Sequence, residues 1–167
     1  GVSAAPNVIL ESNQAGASFG YAVSTAGDVN GDGFADVLVG ATTWESEAAQ
    51  NMEGAVFVFH GSAAGLSTTP SVVLQSNIDS IYVGVSVACA GDINNDGYSD
   101  VIAGAPFAEL PTYIEGAVFV WLGSAAGVNP TIYKRLERNL NSAQFGISVS
   151  GIGDVNGDDY SDFAVGA

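Results

Sequence analysis

Several residue types are scarce in this sequence, and each scarcity narrows what the protein can be. Only one of the 167 residues, Cys89, is cysteine, so no disulfide within the chain braces the fold. It lies in the apolar run VSVACAG and is expected to be a small buried side chain rather than a reactive thiol. The single histidine, His60, sits in the alternating run AVFVFH and is expected to be structural. A Cys-His nucleophile pair and an open zinc site have no residues here to build them, and no G-x-S-x-G elbow occurs. Three basic residues face 18 acidic ones, for a net charge of −15. Nucleic acid is excluded as a partner, because phosphate contacts need lysine and arginine. An anionic membrane surface is disfavoured for the same reason. No apolar run is long enough to insert into a bilayer. No secretory leader is recognisable, which leaves location open, since a mature secreted chain also lacks its leader. The one Asn-x-Thr triplet, Asn129-Pro130-Thr131, carries the proline that forbids glycosylation.

What the sequence does hold is a foldable apolar fraction, 47%, with 22 glycines and 5 prolines. Such a mix suits many short strands joined by tight turns. It also holds a repeat. FGYAVSTAGDVNGDGFADVLVGA spans 19–41, VGVSVACAGDINNDGYSDVIAGA spans 83–105, and FGISVSGIGDVNGDDYSDFAVGA spans 145–167. The aspartates Asp28, Asp92 and Asp154 are 64 and then 62 residues apart. EGAVFVFHGSAAGL at 53–66 returns as EGAVFVWLGSAAGV at 115–128. PNVIL, PSVVL and PTIYKRL recur more loosely at 6–10, 70–74 and 130–136.

Each repeat reads as four strands, near 19–26, 35–41, 54–60 and 71–75 in the first copy. The runs are almost continuously apolar, as strands covered on both faces are. The expected fold class is all-β, with four-stranded antiparallel meanders stacked as β-propeller blades. A β-solenoid is the alternative, but its rungs are shorter. The whole chain, 1–167, is expected to be one propeller segment. It has an opening fourth-type strand at 6–11, blades at 19–75 and 83–136, and a partial blade at 145–167. That is eleven strands, about 2.7 blades, where propellers close with about four to eight. Self-association or further blades of a larger chain are therefore expected.

Ten of the eleven aspartates fall in three windows. The windows read D-x-N-x-D-G-x-x-D, with oxygen side chains at positions 1, 3, 5 and 9. They are Asp28, Asn30, Asp32 and Asp36; Asp92, Asn94, Asp96 and Asp100; and Asp154, Asn156, Asp158 and Asp162. Alternate residues of a curled loop can converge on one centre. Position 7 would add a backbone carbonyl, from Phe34, Tyr98 or Tyr160. A donor set of hard oxygens alone selects Ca2+ over zinc, copper or iron, and three such sites are expected. Gly33 and Gly97 at position 6 permit the sharp turn, and Asp159 replaces glycine there in the third loop. Asp tolerates left-handed backbone better than most residues, so the third site should survive with weaker affinity. A turn made merely of Asp, Asn and Gly is the plain alternative, and three copies in one phase weigh against it. An EF-hand is disfavoured, because β-type runs follow the loops and the twelfth-position Glu is missing.

These residues resemble the FG-GAP repeats of integrin α-subunits. Phe19-Gly20 and Phe145-Gly146 match the FG element and Val83-Gly84 is a weaker copy. Gly104-Ala105-Pro106 matches GAP in full; Gly40-Ala41-Thr42 lacks the proline, and Gly166-Ala167 stops short of it. The resemblance implies a calcium-stabilised propeller on a cell surface or secreted, with ligands met on the face opposite the metal loops. The GSAAG turns look more like bacterial members of the family. On that opposite face Trp44, Glu45, Glu47, Phe107, Glu109 and Tyr113 are the candidate contacts for a protein or glycan.

The function expected is a noncatalytic extracellular adhesion, binding or scaffolding module. The alternatives are a self-assembling structural piece and an accessory propeller of a secreted hydrolase or lyase. Glu53 and Glu115 recur at one position, which points to architecture rather than catalysis. Lys134, Arg135 and Arg138 fall on or after an outer strand, where charge guards a sheet edge.

Overall fold

The computed structural model describes residues 7–46, 51–109 and 113–167. Ten strands form, and no helix is present among the described residues. The first sheet runs in the order β1 (Phe19–Gly27), β2 (Asp36–Ala41), β3 (Ala55–Phe59) and β4 (Val72–Leu74). The second repeats it with β5 (Ser86–Gly91), β6 (Asp100–Ala105), β7 (Ala117–Trp121) and β8 (Lys134–Glu137). β9 (Ser148–Gly153) and β10 (Asp162–Gly166) pair as a two-stranded sheet. Every neighbouring pair is antiparallel, so each sheet is a meander and the all-β blade expectation holds. Residues 7–11, expected to be a strand, are not in one. Among the described residues no strand lies alongside to pair with them, and Leu10 packs instead on the apolar cluster of the first sheet.

The core lies between the sheets rather than inside any one of them. Strands β3 and β7 are buried along their whole length. One apolar cluster joins Ala26, Leu38, Val56, Val58 and Leu74 of the first sheet to Val87, Val101, Ala103 and Phe119 of the second. Another joins Ala88, Ile102 and Val118 to Val149, Phe163 and Val165 of the third. Both faces of the middle sheet are thus covered, which is why its inner strands show no apolar–polar alternation.

Each joint between sheets is built the same way. A Cβ on Gly40 would collide with the carbonyl oxygen of Gly84, and one on Gly104 with that of Gly146. Only glycine lets these backbones approach so closely. The Val83 N–H donates to the Glu53 carbonyl at 2.9 Å and the Phe145 N–H to the Glu115 carbonyl at 2.8 Å. Isolated parallel bridges, Gly54 with Val83 and Gly116 with Phe145, mark the same two seams. Glu53 and Glu115 are fully buried here, and Glu53 Oε1 accepts the Ser46 N–H at 2.9 Å. His60 lies against Gly127 of the next sheet, a packing position as expected. Cys89 is only half-buried, because it faces the shallow groove where the small residues of β1, β5 and β9 line up. The outermost strand β8 exposes Lys134 and Arg135, and Arg135 pairs with Glu137.

Candidate functional site

The meander puts the β1–β2, β5–β6 and β9–β10 loops at one end of the stack. Each loop is wound around its first aspartate. Asp28 Oδ1 accepts the N–H groups of Gly31 at 2.7 Å and Asp32 at 3.1 Å, and its Oδ2 accepts that of Gly33 at 2.8 Å. Asp92 accepts those of Asp96 at 3.0 Å and Gly97 at 2.7 Å. Asp154 accepts those of Gly157 at 2.7 Å, Asp158 at 3.2 Å and Asp159 at 2.9 Å. These bonds, Asp159 and Gly157 foremost, hold the Asp154 carboxyl below the usual carboxylate range. The third-position amides lean on the fifth-position carboxylates: Asn30 Nδ2 donates to Asp32 Oδ2 at 3.0 Å and Asn94 Nδ2 to Asp96 Oδ2 at 2.9 Å. Asn156 keeps its place in the third loop through its N–H, which donates to Asp154 Oδ1 at 3.3 Å. The seventh residues complete the turn, with the N–H groups of Phe34, Tyr98 and Tyr160 donating to Asp32, Asp96 and Asp158 at 3.0, 3.0 and 3.1 Å.

Position 6 is left-handed in all three loops, with φ of 87° at Gly33, 91° at Gly97 and 69° at Asp159. Asp159 therefore holds the backbone shape that glycine holds elsewhere. Position 4 is left-handed too, at Gly31, Asn95 and Gly157. Sequence reading missed this requirement, although Gly, Asn and Gly at one position were the signal for it.

The ninth aspartates depart from the expected convergence. Asp36 and Asp100 are buried, and each uses both oxygens on backbone N–H groups. Asp36 takes Val29 at 2.9 Å and Gly61 at 2.8 Å; Asp100 takes Ile93 at 2.9 Å and Gly123 at 2.8 Å. Asp162 holds Val155 at 3.0 Å. The first two tie the start of their loop to the exit of the third strand. Burial pushes the Asp100 carboxyl up to about 6; its two N–H partners oppose the rise, and the charges of Asp96 and Asp92 add to it. Among the described residues no three acidic, histidine or cysteine side chains are gathered closely enough to hold a metal ion as they stand. Carboxylates without a counter-charge repel one another, and here each turns to backbone donors instead.

Successive loops are also linked. The Ser99 N–H donates to the Asp28 carbonyl at 3.0 Å and the Ser161 N–H to the Asp92 carbonyl at 2.9 Å. Ser99 Oγ accepts the Asp28 N–H at 3.2 Å.

At the other end lie the residues expected to meet a ligand. Phe107 and Glu109 line a cleft of about 720 Å³ together with Ile78, Asp79 and Tyr82. The rings of Tyr82 and Phe107 meet edge-on, 5.9 Å apart. Tyr113 and Glu45 are exposed. Trp44 is half-buried and packs edge-on against Phe57, so its ring serves the core. Glu47 lies outside the described residues. No helix among the described residues is long and apolar enough to cross a membrane.

A family model described as FG-GAP repeat matches residues 19–59 and 84–121. Integrin alpha-7 of Rattus norvegicus is 35% identical over 163 residues, which is 97% of this chain and 14% of that protein. Integrin alpha-PS3 of Drosophila melanogaster is 36% identical over 166 residues, 95% of this chain and 14% of that protein. Integrin alpha-3 of Mus musculus is 37% identical over 164 residues, 95% of this chain and 15% of its own length. The chain thus spans about a seventh of these relatives. All three are animal proteins, and the bacterial likeness expected from the GSAAG turns finds no support.

Proposed function

This chain is built of FG-GAP repeats, and we propose on that premise that it is a noncatalytic calcium-binding module that meets a protein or glycan ligand outside the cell. One observation carries the reading: a single loop geometry recurs at the same end of three successive sheets, with oxygen side chains at the same four positions. Asp28, Asn30, Asp32 and Asp36 would hold the first ion, Asp92, Asn94, Asp96 and Asp100 the second, and Asp154, Asn156, Asp158 and Asp162 the third. The carbonyls of Phe34, Tyr98 and Tyr160 would add to each set.

The donors suit the ion. All are hard oxygens, and a carboxylate offers about four lone-pair sites. Asp36 and Asp100 spend two of these on N–H groups and Asp28 spends three, which leaves acceptor capacity in the first two loops; in the third loop Asp154 accepts four N–H groups, and the capacity lies on Asp158 and Asp162, with one each. A bound Ca2+ would supply the positive charge that offsets the mutual repulsion of these carboxylates. The cleft beside Phe107 and Glu109, at the opposite end, is where a ligand would sit.

Calorimetric titration should find three Ca2+ ions per chain, with dissociation constants of about 10⁻⁴–10⁻³ M, the range of extracellular modules. Chelation should lower the melting temperature markedly. An unchanged melt after complete metal removal would overturn the reading.

A further inference from the structure

The cleft beside Phe107 has a counterpart one repeat earlier, lined, apart from Ile81, by the matching residues of that repeat. Residues 78–82 correspond to 14–18, and Phe107, Glu109 and Ile114 to Thr43, Glu45 and Met52. The earlier cleft is drawn together by its own polar side chains. Gln14 Nε2 donates to the Glu45 carbonyl at 2.8 Å, and Gln14 Oε1 accepts the Glu45 N–H at 2.9 Å. The Thr43 hydroxyl donates to the Gly16 carbonyl at 2.6 Å. In the later cleft Ile78 replaces Gln14, Asp79 replaces Ala15, Tyr82 replaces Ser18 and Phe107 replaces Thr43. Ile78 and Phe107 have no side-chain polar atom, so these tethers cannot form there.

The later cleft combines apolar walls with two carboxylates. Asp79 and Glu109 are exposed, and neither has a hydrogen-bond or ion-pair partner among the described residues. The basic residues of the chain, Lys134, Arg135 and Arg138, lie on or just after β8. The walls also carry bulk where the backbone disfavours it. Tyr82 and Ile114 have φ of 56° and 47°. That left-handed shape belongs to the scaffold, since Ser18 and Met52 hold it one repeat earlier, at 52° and 49°. A large side chain is unfavourable on it, a β-branched one most of all. Such outliers gather at ligand sites.

We propose that this cleft, and not its counterpart, takes a basic side chain of a protein partner. The apolar stem of an arginine or lysine would lie against Tyr82 and Phe107, with its charged head at Asp79 and Glu109. The proposal rests on the reading that this end of the stack meets a ligand, and it narrows that reading to one cleft and one chemistry. Aromatic faces attract a cation, and carboxylates form charge-assisted hydrogen bonds with it. The same two carboxylates would repel an acidic glycan.

The probe is a blocked pentapeptide with one central arginine; its citrulline twin keeps the shape and lacks the charge. Each is titrated into nitrogen-15-labelled protein in Ca2+, at a salt concentration that screens the general acidic field, and followed by amide shifts. The arginine peptide should move the amides of 78–82 and Phe107 and leave those of 14–18 in place. The twin should bind about tenfold more weakly, and Asp79→Asn and Glu109→Gln should each weaken the arginine peptide about tenfold. Phe107→Thr, which installs the side chain of the earlier cleft, should weaken it too. Glu11→Gln removes one charge outside the cleft and should change the affinity less than about twofold. All four substituted residues are exposed, so the variants should fold, which a thermal melt checks. Equal binding of the twin at the same amides would overturn the basic ligand and leave the ligand-binding end standing. Binding that ignores the cleft variants, equal shifts at 14–18, or no binding of the arginine peptide would each overturn the proposal. A neutral glycan that moved amides at this end would still satisfy the broader reading.

Discussion

At the scale of single residues, the ninth aspartates of the first two loops are structural members before they are anything else. Removing the Asp100 carboxylate would leave the N–H groups of Ile93 and Gly123 without their acceptors in a buried place. Each orphaned group costs about 1–3 kcal/mol. Asp100→Ala should therefore lose roughly 2–5 kcal/mol in chemical denaturation, even with no metal present. Asp100→Asn keeps one acceptor oxygen and should lose about half as much. Asp159 offers the opposite sign. It holds a left-handed φ of 69° that glycine would adopt freely, so Asp159→Gly should gain about 1 kcal/mol and raise the melting temperature. The loop pattern was legible in the sequence down to this residue. What Asp36 and Asp100 bond to was not, because Gly61 and Gly123 lie more than twenty positions downstream and become neighbours only when the third strand folds back.

At the scale of elements, strands β1–β10 fall within a residue or two of their expected places, except at 83–85 and 145–147, where the chain bonds back to the preceding sheet, at Glu53 and Glu115, before its own strand begins. The FG and GAP glycines were also visible, but their purpose was not. Within one repeat they look like two turn residues. In the structure the FG glycine of one repeat presses on the GAP glycine of the repeat before it. Gly104→Ala should therefore wedge the second joint apart and cost about 1–3 kcal/mol, the range of an overpacked core. Gly166→Ala has no facing carbonyl and only a rotatable Ser148 hydroxyl in its way, so it should be nearly neutral. Melting curves of the two variants make the comparison directly.

At the scale of the whole molecule, charge is the dominant long-range term. The loops concentrate ten aspartates at one end, and three bound Ca2+ ions would reduce the net charge of −15 to about −9. Self-repulsion of this kind is screened by salt. Chelation should therefore lower the melting temperature more at low ionic strength than at high, and the same pair of melts repeated in both buffers measures the difference. Lys134, Arg135 and Arg138 are too few to offset that field and lie on or just after an outer strand, where they guard an edge.

The paired-glycine joint carries a consequence for how such a protein can change in length. Each repeat presents one half of a joint backward and the other half forward, and neither half depends on which repeat supplies its mate. Inserting or deleting a whole unit of 62 to 64 residues leaves every remaining seam correctly matched, whereas an insertion inside the stretch from FG to GAP spoils two seams at once. Growth by duplication of a whole repeat is thus a rearrangement that keeps these paired-glycine seams matched.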